Sequence, residues 1–236
     1  MAPILISIEG NIGAGKSTLL NKLKAAHPEW FFVDEPVAQW MAFRNSAAEG
    51  GKSLLELFYE DKRRWAYTFQ NVAVLTRAEE LRTTLAAAAA SGQESPVIVM
   101  ERCLDTDAEV FAKMLRAEGV LNTIEWDLYE RWRQTLIGSF NLPKTTAYIW
   151  MDAKPDVCAT RIQMRAREGE DQIPLSYLEE LDAATHQWLV GGHEAHVIAQ
   201  SSWSPLDDLA AVEQFVSQIC AQRGAERASY SCSCSS

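Results

Sequence analysis

Gly10-Asn11-Ile12-Gly13-Ala14-Gly15-Lys16-Ser17 fits G-x-x-x-x-G-K-[ST], and no other stretch of the chain restricts its fold as much. Ile4 to Ile8 before it is a short apolar run rich in isoleucine, and Ser17 to Lys24 after it has the composition of a helix opening at Lys16 or Ser17. Strand, glycine turn and helix in that order ring a phosphate with backbone amides, add the positive end of a helix and bring a lysine amine to the β and γ phosphates. Residues Gly10, Asn11, Ile12, Gly13, Ala14, Gly15, Lys16, Ser17 and Thr18 are therefore expected to bind a nucleoside triphosphate such as ATP, with the Ser17 hydroxyl available to Mg²⁺. The loop does not identify the acceptor. A signalling GTPase would need switch elements and a guanine-reading N-K-x-D segment, which the sequence lacks, so transfer onto a small substrate is favoured.

The remaining pattern alternates strand and helix. Apolar or aromatic runs at Trp30 to Val33, Pro96 to Met100, Thr146 to Met151 and His196 to Ala199 read as buried strands. Helical patterns cover Ser53 to Leu85, expected to bend or break and to run on through Ala86 to Ala90, then Asp107 to Glu118, Ile124 to Ile137, Asp156 to Arg167, Leu175 to Leu189 and Leu206 to Gln222. This predicts an α/β fold with a parallel sheet covered on both faces. Residues 1–222 read as one domain, and 223–236 as a polar, Ser-rich tail too poor in apolar residues to order itself.

With 22 Lys plus Arg against 32 Asp plus Glu, the net charge of −10 disfavours a nucleic-acid partner, while a small phosphorylated ligand needs only a local pocket of positive charge. No apolar run approaches the 18 residues of a membrane span, and the first residues lack the pattern of a secretory or organellar leader. The five cysteines form no disulfide or zinc framework, which suits a reducing, cytoplasmic setting.

Four groups of charged residues are candidates for chemistry. Glu35 follows the second strand, held extended by Pro36 at the sheet edge where ligands gather, and is either a general base or an ordinary turn residue. Glu101 and Arg102 end the third strand on the same edge; either could face phosphates or metal, or the two could be a structural ion pair. Asp107 is a site residue or only a charge at a helix start. Arg161, Arg165 and Arg167 precede an acidic loop, Glu168 to Gln172, that could close them on a transferring phosphoryl group or simply neutralise them.

Taken together, I-E-G-N-I-G-A-G-K-S-T, D-E-P-V-A-Q-W, Y-E-D-K-R-R-W-A-Y-T-F-Q, E-R-C-L-D-T-D-A-E-V-F and R-I-Q-M-R-A-R-E-G-E-D-Q-I-P-L-S-Y-L resemble the deoxynucleoside kinase family over about residues 4 to 220. The resemblance implies a three-layer P-loop kinase fold with about five parallel strands, and transfer of the γ-phosphoryl of ATP or another triphosphate to a deoxynucleoside 5′-hydroxyl. It implies that Glu35 is the general base, that Arg102 assists at the 5′-oxygen, and that Glu101 joins Ser17 on Mg²⁺. Arg165 and Arg167 would be lid arginines, and Arg161 would pack on the donor adenine beside the loop from Trp203 to Leu206. Tyr59 and Glu170 would hold the sugar 3′-hydroxyl, Gln70 would read the base, and Trp40 and Phe111 would sandwich it; Phe69 remains a core candidate. The pair Arg77 and Asp107 resembles that of members preferring deoxycytidine or purines over thymidine. Family members are usually homodimers through a helix pair, which Ser53 to Leu85 and Ile124 to Ile137 could supply. The family commonly has Ser where this chain has Cys103. Two alternatives stay open, a nucleoside monophosphate kinase and a nucleotide-binding regulatory protein without a transfer step.

Overall fold

A computed structural model describes residues 2–47, 50–167, 169–170, 173–190, 195–199 and 205–233. The order is β1 (Ile4–Gly10), α1 (Lys16–Ala26), β2 (Phe31–Val33), α2 (Val37–Ala42), α3 (Leu54–Glu60), α4 (Lys62–Ala90) and β3 (Val97–Glu101). Next come α5 (Leu104–Thr106), a π-helical turn (Asp107–Ala112), α6 (Lys113–Ala117), α7 (Thr123–Ser139), β4 (Ala147–Asp152), α8 (Pro155–Arg165), α9 (Leu175–Val190), β5 (Ala195–Ala199) and α10 (Pro205–Ser233). The five strands form one sheet in the order β2-β3-β1-β4-β5, and every pairing is parallel.

The alternation of side chains along a strand explains the three layers. Leu5, Ile98, Met100, Tyr148 and Trp150 pack into one core with buried residues of α3, α4 and α7. Their neighbours Ile4, Ile6, Ile8, Val99 and Ile149 join Leu20 and Leu23 of α1, Ile162 of α8, Leu178 of α9 and Val216 of α10. Strands buried on both faces must be apolar at nearly every position, which is the pattern read from the sequence.

The break expected in the long helix falls at Asp61, whose carboxylate accepts the Arg64 N–H and starts α4 anew. Three other boundaries differ from expectation. The helix expected from Asp107 begins at Leu104 and widens into the π turn, so Asp107 is not an N-terminal charge. α8 stops at Arg165 because Ala166 turns left-handed (φ 50°), so Arg167 lies beyond the helix. The helix expected to end at Gln222 continues to Ser233 and takes in most of the segment read as an unordered tail. Ala225, Glu226, Arg227 and Ala228 are strong helix formers, and the single Gly224 costs only about 1 kcal/mol against alanine.

The topology brings the carboxyl ends of β1, β2 and β3 to one edge. The phosphate loop leaves β1 there, Glu35 follows β2, and Glu101 and Arg102 close β3. Open α/β sheets bind ligands at this edge.

Candidate active site

The loop after β1 is built for close approach. A Cβ on Gly10 (φ 137°) would lie 2.6 Å from the Met151 carbonyl oxygen, and one on Gly13 (φ 80°) 2.7 Å from that of Cys158, so glycine is required at both. Asn11 pins the loop from within: its Nδ2 donates to the Leu178 carbonyl (2.8 Å) and its Oδ1 accepts the Ile12 N–H (2.8 Å). Lys16 is buried, donates to the Asn11 carbonyl (2.8 Å) and sits 3.9 Å from Glu101. Burial, reinforced by the Arg102 charge, lowers its amine to about 8. Ser17 Oγ donates to Glu101 Oε1 at 3.0 Å, so one hydroxyl and one carboxylate face each other at the mouth of the loop.

Glu35 meets two arginines. Arg102 Nη1 donates to its Oε1 at 2.5 Å, and Arg77 Nη2 lies 3.7 Å away. Burial alone would raise the Glu35 carboxyl, but Arg102, Lys16 and Arg77 outweigh it and hold it at about 2. Arg102 also donates to the Gly10 carbonyl (3.2 Å), and its guanidinium lies 5.0 Å from the centre of the Phe111 ring. Arg77, only 1% exposed, grips Asp107 through Nε (2.9 Å) and Nη2 (3.3 Å), and donates to the Glu101 carbonyl at 2.8 Å. Its charge is thereby matched, as a buried guanidinium demands.

These groups open onto one cleft of about 390 Å³. Its apolar wall is Trp40, Phe58 and Phe69: Phe58 stacks on Phe69 with ring centres 4.6 Å apart, and Trp40 meets Phe69 edge-on at 5.3 Å. Trp40 is fixed by its indole N–H, which donates to Thr76 Oγ1 (3.0 Å). Gln70 also lines the cleft, and its buried Oε1 has no partner among the described residues. An acceptor left open on a cleft wall is a place for a ligand's donor. Arg165 and Arg167 both pair with the buried Glu170 beside Tyr59, whose hydroxyl is raised by burial and by the neighbouring Tyr177 and Glu170.

The structure thus gathers Lys16, Ser17, Thr18, Glu35, Trp40, Tyr59, Gln70, Arg77, Glu101, Arg102, Asp107, Phe111, Arg161, Arg165, Arg167 and Glu170 around a single cavity. Gly10, Asn11 and Ala14 support the loop from behind. Phe69, read as a core candidate, is in the core and on the cleft wall at once. Arg161 Nη1 reaches the Ala14 carbonyl at 3.3 Å; of the loop expected beside it, Trp203 and Ser204 lie outside the described residues, as do Glu168, Asp171 and Gln172 of the acidic loop. Five lining residues were not assigned from the sequence: Val37 on α2, Leu55 and Phe58 on α3, Ala73 on α4, and Tyr177 on α9, which has the Lys62 amine 3.7 Å from its ring centre. Tyr177 stands within the segment I-P-L-S-Y-L, where an aromatic seven residues after Glu170 was the available signal.

A sequence model described as deoxynucleoside kinase matches residues 6–222. The chain is 36% identical to deoxycytidine kinase of Mus musculus over 197 residues, covering 78% of this chain and 75% of that protein. It is 37% identical to deoxycytidine kinase 2 of Gallus gallus over 194 residues, 78% and 73% of the two chains. To the mitochondrial deoxyguanosine kinase of Xenopus laevis it is 36% identical over 194 residues, 78% and 72%.

Proposed function

The chain belongs to the deoxynucleoside kinase family and is a deoxynucleoside kinase with ATP as phosphoryl donor, and we propose that Glu35 is the base that accepts the 5′-hydroxyl proton. The observation that carries the proposal is that the Glu35 carboxylate and the Lys16 amine line one cleft and feel each other's charge. As the 5′-oxygen bonds to the γ-phosphorus, the bond to the β–γ bridging oxygen breaks, ADP leaves and the hydroxyl proton passes to Glu35. A carboxyl held at about 2 is a weak base toward a resting hydroxyl. In the loose transition state of phosphoryl transfer, the proton moves late, once the attacking oxygen has become acidic. Arg102, bonded to Glu35, steadies charge at that oxygen, while Lys16 and the loop amides hold the donor.

Arg165 and Arg167 are assigned to the transferring phosphoryl group and Arg161 to the donor base. Ser17 and Glu101 supply the hard oxygen donors that Mg²⁺ prefers, and their 3.0 Å approach fits a shared ion. Mg²⁺ bound there would neutralise charge on the β and γ phosphates. Tyr59 and Glu170 are assigned to the sugar 3′-hydroxyl, Gln70 to the base edge, and Trp40 and Phe111 to its faces. The ion pair of Arg77 and Asp107 supports a preference for deoxycytidine, deoxyadenosine or deoxyguanosine over thymidine.

A homodimer is supported by the outer face of α7, where Ile124, Leu128 and Trp132 recur every four residues and are 71%, 41% and 56% exposed. Among the described residues no helix is long and apolar enough to cross a membrane. A cytoplasmic setting is proposed from Cys103, Cys158 and Cys220, which are free thiols among the described residues; one relative is a mitochondrial enzyme.

A steady-state panel of the four natural deoxynucleosides and their monophosphates tests the assignment. Turnover of nucleosides but not monophosphates is expected. Highest kcat/KM for thymidine would overturn the base preference, and turnover of monophosphates alone would overturn the acceptor assignment.

A further inference from the structure

One fully buried carboxylate lies outside the cleft. Glu9, on β1 just before the phosphate loop, is 0% exposed in a strand where the other polar side chain is the equally buried Ser7. Its Oε1 accepts two hydroxyl hydrogen bonds, from Ser7 Oγ at 2.5 Å and Thr106 Oγ1 at 2.6 Å. Its Oε2 has no partner among the described residues, and burial pushes the carboxyl upward. A buried carboxyl is costly, so what it holds is the question.

Thr106 Oγ1 also accepts the Cys103 N–H at 3.1 Å. The chain of hydrogen bonds from Ser7 and Glu9 through Thr106 therefore ends on the residue that follows Arg102. Arg102 has φ 61°, a left-handed conformation that costs a non-glycine residue of order 1–3 kcal/mol and persists only where its surroundings impose it. Its own N–H donates to the Ile8 carbonyl (3.0 Å) and its guanidinium to that of Gly10 (3.2 Å). Three consecutive residues of β1 thus hold the turn: Ile8 and Gly10 through their carbonyls, and Glu9 through the Thr106 hydroxyl. With that turn in place, the Arg102 guanidinium reaches Glu35.

We propose that Glu9 is a positioning residue for Arg102, acting through the Thr106 hydroxyl to hold the left-handed turn that aims the guanidinium at Glu35 and the 5′-oxygen. The proposal rests on the assignment of Arg102 to that oxygen. Two pairs of variants separate shape from hydrogen bonding. Thr106→Val and Glu9→Met remove the linkage at nearly constant volume, whereas Thr106→Ser and Glu9→Gln keep a hydroxyl and an Oε1 acceptor.

The measurements are kcat and KM for deoxycytidine, together with the affinity and stoichiometry of a non-hydrolysable ATP analogue. Thr106→Val and Glu9→Met are expected to lower kcat by about 10- to 100-fold, the scale of a catalytic group displaced by up to ~1 Å. Analogue affinity should hold at one site per chain, and Thr106→Ser and Glu9→Gln should stay within about threefold of the parent. In an Arg102→Ala background Thr106→Val should cost nothing further, because its effect passes through Arg102. Parental kcat in Thr106→Val and Glu9→Met would overturn the role of Glu9, as would the same loss with Arg102 already removed. Parental kcat in Arg102→Ala alone would instead overturn the assignment of Arg102.

Discussion

Lys16 carries its charge at a cost, because burial has lowered its amine to about 8. If Lys16 holds the triphosphate as proposed, donor binding supplies a partner for its charge and draws the proton back. Donor binding between about pH 8 and 9 should therefore take up a proton, and donor affinity should fall as pH rises through 8. Calorimetry in buffers of different ionisation enthalpy measures the uptake, and release of a proton would contradict it. Glu35 works in the opposite sense. Its folded value of about 2 lies below the unfolded 4.5, so it contributes stability that is fully present above 4.5 and is lost as pH falls toward 2. Urea titrations should show that loss in the parent and a smaller one in Glu35→Gln. Asp107→Ala leaves Arg77 buried without its bidentate partner, and should cost about 3 kcal/mol or more in the same titration. The sequence made Glu35, Arg77 and Asp107 candidates, but it could not show that one guanidinium at residue 77 reaches both carboxylates across the sheet edge.

At the scale of elements, the phosphate loop was legible because its chemistry is local: strand, glycines and helix lie within consecutive residues. The long helix pattern was legible too, and its break at Asp61 follows from an ordinary side-chain cap. The π turn over Asp107–Ala112 was not, since it depends on tertiary fit rather than on composition. Nor was the division of labour in the lid. Arg161 and Arg165 share a helix face by spacing, yet Arg165 and Arg167 are the two that grip Glu170, because α8 ends between them at Ala166. If Arg165 and Arg167 serve the transferring phosphoryl group as proposed, Glu170 competes with phosphates for both arginines. Glu170→Gln should then tighten donor binding while raising the KM for the deoxynucleoside, whose 3′-hydroxyl loses the carboxylate partner proposed for it. Weakened donor binding in that variant would contradict the assignment.

At the scale of the molecule, the net charge of −10 coexists with a cleft lined by Lys16, Arg77, Arg102, Arg161, Arg165 and Arg167, so a composition that disfavours long polyanions still leaves room for a phosphorylated ligand. Strand count and layering followed from apolar runs, whereas convergence of residues 35, 70, 102 and 170 on one cavity is a property of topology that periodicity does not carry. The α7 face should pair two chains: sedimentation should give a dimer for the parent and a monomer for Trp132→Glu with Leu128→Glu. Single-turnover phosphorylation of deoxycytidine by Glu35→Gln is the most direct test of all. The rate should fall by about 10²–10⁴-fold while the ATP-analogue Kd stays at the parental value; a parental rate would contradict the role given to Glu35.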